Sequence, residues 1–219
     1  MNSSLESVLQ HPGIWRGSQR AQAAEAVLPT GFAALDAVLP GGGWPRGALT
    51  ELLIRRQGIG ELRLLTPALA RLSEEDGWLA WVAPPYVPYA AALAAAGIDL
   101  AHVLVAKPAS DADTWWTAEQ ALRSGACGAL LAWLRAADER RMRRLQLAAE
   151  TGRAWGVLFR HARLATERSP AALRLLLEPA SEGLAVRVLK RRGGPVNRPL
   201  VVALPDAGRT TSVLSLARS

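Results

Sequence analysis

Residues 47–62, GALTELLIRRQGIGEL, read as an apolar strand that runs into a glycine turn and then into a helix. In nucleotide-binding α/β proteins such a junction carries G-x-x-x-x-G-K-[ST], whose backbone N–H groups, lysine and hydroxyl hold phosphate and Mg²⁺. Here Gly58 and Gly60 supply the turn, while Glu61 and Leu62 fill the lysine and hydroxyl positions. A carboxylate repels a triphosphate, and a leucine ligates no metal. The outline of a phosphate cradle is present without its chemistry, so no cofactor is expected.

Outward from this junction the chain alternates strand-like and helix-like stretches, the signature of βαβ units. Strands are expected at 48–54, 78–83, 102–106, 127–134 and 154–160, with helices at 61–75, 86–97, 113–124 and 138–151. The strands are almost continuously apolar, as in a parallel sheet covered on both faces. After Arg163 the runs LRLLLEP, GLAVRVLKR and PLVVALP, separated by turn residues, predict an antiparallel edge. Upstream, Thr30 is expected to cap a short helix through Leu39, and the Pro- and Gly-rich residues 40–47 to form an irregular loop. The division expected is a lead-in segment over 1–28, whose Trp15 either anchors on the domain's own surface or docks on a partner, one α/β domain over 29–205 and a polar tail over 206–219.

A chain of 219 residues is long enough to bury a real core. It has no apolar run of membrane-spanning length and no signal-peptide layout at its start, so a cytosolic location is expected. The single cysteine, Cys127, excludes an intramolecular disulfide and suits a reducing compartment. His11, His102 and His161 lack ligand spacing, so no metal site is expected.

Nothing in the chain has the layout of covalent catalysis, such as a G-x-S-x-G elbow or H-E-x-x-H. Glu74, Glu75 and Asp76 read as a solvated helix end, and Asp111 and Asp113 as capping residues of a helix that begins near Thr114. Tyr86 and Tyr89 read first as packing residues at a helix start, with stacking on a base as the lesser alternative. A nucleotidase needs an acid at an internal strand end for Mg²⁺, and neither 129–134 nor 83–86 offers one. The expectation is a protein that is not an enzyme.

The order of motifs resembles a known family. LPTGFAALDAVLPGGGWPRGALTELL is similar to the opening of the RecA-type ATPase core, with its T-G-x-x-x-L-D helix and glycine loop before the phosphate-loop strand. With GIWRG before it, QGIGELRLL after it and VRVLKRRGGP near the end, the chain resembles the ImuA family of translesion-synthesis-associated proteins over about residues 14 to 204. The shorter cell-division inhibitor SulA is similar over the degenerate loop and the following βα units. The resemblance implies a RecA-like fold with a degenerate phosphate loop, in a protein of SOS-induced mutagenesis. It implies partnership with an ImuB-type inactive relative of Y-family polymerases, with RecA, and indirectly with an error-prone polymerase. RecA's catalytic residues do not carry over, because Glu61, Leu62, Pro85 and Trp133 stand in their places.

The net charge of +7 is local. Residues 135–163 carry eight arginines against three acids, and 187–198 carry five basic residues and no acid. Arg140, Arg141, Arg143 and Arg144 spread over the exposed turns of a helix whose other face is Met142, Leu145 and Ala149. That is either a solvated helix with i,i+4 pairs or a surface for DNA or an acidic partner. In the second segment Arg187, Lys190, Arg191, Arg192 and Arg198 gather around a Gly-Gly turn. Five uncompensated charges repel one another, which favours a partner or sequence-independent DNA contact. The expected function is a non-catalytic adaptor of translesion synthesis. The alternatives are an ATP-binding RecA-like ATPase and a SulA-like inhibitor acting on FtsZ.

Overall fold

The computed structural model describes residues 27–134, 138–194 and 199–204. An eight-stranded sheet holds β3 (Leu49–Ile54), β4 (Trp78–Val82), β5 (Val103–Ala106), β6 (Cys127–Trp133), β7 (Trp155–His161), β8 (Leu173–Ala180), β9 (Gly183–Lys190) and β10 (Leu200–Val202). Across the sheet the order is β10-β9-β8-β3-β7-β6-β4-β5. The strands from β8 to β5 run parallel, and β9 and β10 pair antiparallel beyond β8. The fold is therefore α/β, with a mostly parallel sheet and an antiparallel carboxyl-terminal edge. Of the three runs after Arg163, the first joins the parallel part: β8 lies alongside β3, with Thr50 opposite Leu173. The lead-in to the sheet contains a small two-stranded ribbon, β1 (Val27–Leu28) with β2 (Trp44–Pro45).

The core forms on both faces of this sheet, as continuous apolar strands require. All six residues of β3 are buried. One face packs Leu52, Ile54, Trp81, Trp155 and Phe159 against α2 (Thr66–Glu74) and the segment around Leu35 and Trp44. The other packs Leu49, Ala80, Leu130 and Leu158 under α4 (Asp111–Arg123) and α5 (Glu139–Gly152). Each fully buried leucine contributes about 1.5–3 kcal/mol, so these two layers dominate the stability. Trp44 stacks on Trp155 at 5.2 Å, and Trp155 Nε1 donates to Thr50 Oγ1 at 3.1 Å.

Several local expectations change for identifiable reasons. Thr30 does not cap the first helix: its hydroxyl accepts from the Phe32 N–H, and α1 (Ala33–Asp36) starts after Phe32 with no side-chain cap. The expected irregular loop over 40–47 contains β2, because Trp44 is wholly buried against the core. The helix after the glycine turn begins at Thr66 rather than at Glu61. Residues 61–65 form turns, and Pro67 sets the first helical positions. Pro84, Pro85 and Pro88 delay the next helix, so α3 is confined to Ala90–Ala95. Tyr86 and Tyr89 accordingly do not pack; they are 76% and 74% exposed. Ser110 caps α4, its Oγ accepting from Asp113 N, so the helix begins at Asp111, ahead of Thr114. No described helix is long and apolar enough to cross a membrane. The 1–26 part of the lead-in with Trp15, the tail from 206, and Arg198 lie outside the described residues.

Candidate functional site

β3 ends at Ile54 and the chain passes through exposed Arg55–Gln57 into the glycine turn. Gly58 and Gly60 take left-handed φ values of 79° and 106°. That conformation turns successive N–H groups toward one point, an arrangement that binds anions. The point is occupied by the protein's own side chain. Glu61, 5% exposed, accepts from Gly58 N at 2.8 Å through Oε1, and from Ile59 N at 2.9 Å and Gly60 N at 3.1 Å through Oε2. Leu204 closes the turn from above: a Cβ on Gly60 would stand 2.5 Å from its Cδ1. Leu62 is half-buried against the apolar core. A carboxylate in this position satisfies three donors that a phosphate would otherwise take.

Pro85 and Trp133 line one crevice at the carboxyl ends of the parallel strands, and neither brings a carboxylate to it. Trp133 sits between Trp81 (5.8 Å between ring centroids) and Phe159 (4.4 Å), forming an aromatic ladder across β4, β6 and β7. Behind the crevice, buried Glu51 accepts from Arg160 Nη1 at 3.1 Å, Arg174 Nε at 2.8 Å and Ser169 Oγ at 2.6 Å. Among the described residues no group of histidines, cysteines and acids is placed to hold a metal. Cys127 is buried, which pushes its thiol up to about 11.

The two basic segments occupy different parts of the fold. On α5, Met142, Leu145, Ala148 and Ala149 face the core. Arg143 pairs with Glu139 at 2.6 Å, and Arg144 reaches across to buried Glu119 on α4 at 2.5 Å. The Arg143 hydrogen bond holds the Glu139 carboxyl below its usual range. Arg141 lies over the Trp115 ring at 5.6 Å, while Arg140 is exposed with no partner among the described residues. On β9, Arg187 is exposed opposite Leu176. Lys190 Nζ donates to Ser169 O at 2.7 Å, and its pKa is lowered, by desolvation first and then by Arg174. Arg191 donates to the carbonyls of Gly194 and Val38 and so ties the turn to the segment after α1. Arg192 is exposed in the same turn.

The family model described as "Cell division inhibitor SulA" matches residues 47–156, half of the chain. The chain belongs to the SulA family. The cell division inhibitor SulA of Edwardsiella piscicida is 32% identical over 111 residues, which cover 50% of this chain and 66% of that protein. SulA of Serratia marcescens is 28% identical over 118 residues, covering 54% and 70%. Among solved structures, SulA from Pseudomonas aeruginosa shares 28% identity, covers 51% of this chain and 97% of that one, and has a TM-score of 0.43.

The stretch shared with the SulA family runs from the start of β3 into β7. It includes the closed glycine turn and most of the crevice, and leaves out β8, β9 and β10. Sequence reasoning found Glu61 but missed its partner groups. It also missed Arg55, Arg56 and Lys107 on the crevice rim and the Glu51–Arg160–Arg174 cluster. Both had a signal: a charge inside the apolar run LTELLI demands buried partners, and basic residues just past strand ends sit where such sheets bind ligands.

Proposed function

We propose that the protein acts by binding another protein and turns over no nucleotide, as a SulA-type inhibitor of the division GTPase FtsZ working in the cytosol during the SOS response. The observation that carries this reading is the Glu61 carboxylate on the three N–H groups of the glycine turn. An anion site filled from within leaves a phosphate neither donors nor a favourable field. The relatives named as cell division inhibitors support the division machinery as the target. Light scattering of FtsZ with GTP tests the reading. Suppression of polymerisation at stoichiometric amounts of the protein is expected; an unchanged polymerisation curve contradicts it.

A second reading, the translesion adaptor that meets an ImuB-type polymerase relative and RecA, is favoured by one observation. Half of the chain lies outside the SulA match, and β8–β10 in that half extend the parallel sheet by three strands. β9 and the turn after it carry Arg187, Lys190, Arg191 and Arg192, which together with Arg140, Arg141, Arg143, Arg144 and Arg198 are the proposed contacts to partner or DNA. Co-purification with an ImuB-type protein and with RecA separates the two readings, because capture of either one with no effect on FtsZ selects the adaptor. If single-stranded DNA is bound, Lys190, Arg191 and Arg192 changed together to Ala lower the affinity and the salt slope.

A further inference from the structure

The carboxyl ends of β3, β4, β5, β6 and β7 surround a crevice of about 680 Å³. In open α/β sheets this is the end at which ligands sit, because the connecting loops diverge there. Its floor has a surplus of positive charge. Arg160, 6% exposed, lines it, and shares the single carboxylate of Glu51 with the buried guanidinium of Arg174. Arg174 places further N–H groups on the carbonyls of Leu164, Ala165 and Glu167, whereas Arg160 Nε is buried without an acceptor among the described residues. A buried cation in excess of its counterions is unfavourable, and an anion close by relieves it.

The rim has the same sign. Arg56 and Lys107 line it with no partner among the described residues, and Arg55 approaches Glu178 only at 3.7 Å. Asp111 is the one acid among the lining residues. Ala83, at the end of β4, holds a left-handed φ of 52° beside the crevice, a conformation alanine rarely adopts and one that concentrates at functional sites.

The walls decide which anion fits. Trp133 has Trp81 on one side and Phe159 on the other, and Trp115 is covered by Arg141, so neither presents an open face for a nucleobase. The nest suited to phosphate is closed by Glu61. What remains is the edge of Trp133 with Pro84 and Pro85, a surface for aliphatic side chains beside a cationic rim. We propose that this crevice binds an acidic peptide segment of a partner protein, its carboxylates against Arg55, Arg56 and Lys107 and an apolar side chain against Pro84, Pro85 and Trp133.

The inference deepens the protein-binding reading without depending on which partner is right. Its test uses the full chain and a capped hexapeptide of alternating glutamate and leucine, followed by the indole N–H signals in ¹H–¹⁵N spectra. Saturable shifts of Trp115 and Trp133 are expected, with Trp44 and Trp155, buried elsewhere in the core, unmoved. The double variant Arg56→Glu with Lys107→Glu changes exposed side chains only, and weakens binding at least ~10-fold. The proposal is overturned if the peptide causes no shifts, if an alternating lysine–leucine peptide binds as well, or if the double variant binds unchanged. It is equally overturned if a single-stranded oligonucleotide displaces the peptide from the same tryptophans. Failure here leaves the FtsZ test untouched, and a negative FtsZ result leaves the crevice standing.

Discussion

Three N–H groups around Gly58 and Gly60 need an acceptor, and Glu61 supplies it from the next position in the chain. A single side chain thereby fills the place an anion would take in this turn. Glu61→Ala should cost about 1–3 kcal/mol, since the freed donors lose charge-assisted bonds and regain water only in part. The same variant opens the nest, so inorganic phosphate should raise its melting temperature while leaving the wild type unchanged. Glu61→Lys should show no ATP turnover above background, because Pro85 and Trp133 at the crevice supply no carboxylate to hold Mg²⁺ or activate water. Cys127 offers a separate check. Burial raises its thiol pKa from 9.0 to about 11, so the folded state holds that proton more tightly than the unfolded chain. Its contribution is therefore complete below about pH 9 and is lost as pH rises toward 11. Thiol reagents at neutral pH should leave the native protein unmodified and react once it is denatured.

At the scale of elements, α4 and α5 approach so closely that an added Cβ on Gly152 would overlap the Leu122 carbonyl oxygen. Gly152→Ala should lower stability by about 1–3 kcal/mol, read as a shifted urea midpoint with an unchanged slope. Between strands, Glu51→Ala leaves two buried guanidiniums without their carboxylate, and a loss of about 3–5 kcal/mol is expected. The parallel strands were legible because burial on both faces writes a continuous apolar run such as LTELLI or GALLAW. Helix starts were less legible, since they were settled by prolines and by side chains used elsewhere. Glu61 caps a loop instead of opening a helix, and Ser110 outranks the acids that follow it. The direction of β8 was illegible for a different reason. Its residues suit either sense, and a crossover from β7 past β3 brings it in parallel. Of the candidate contacts, the residue types were readable but not their internal partners: Lys190 and Arg191 spend donors on backbone carbonyls that no periodicity reveals.

The whole molecule combines a sheet edge shared with the SulA family and an opposite edge of three further strands. These halves make separable predictions. The shared half carries the closed loop and most of the crevice, so variants there should alter partner binding without any nucleotide dependence. The added half carries the basic turn, so changes there should alter salt dependence and leave the loop unaffected. The first of these requires that the glycine turn be satisfied from within by Glu61. Isothermal titration of the wild-type chain with Mg-ATP tests that claim most directly. No binding heat beyond dilution is expected, whereas saturable binding that disappears when Gly58 or Gly60 is changed would contradict a turn closed by Glu61.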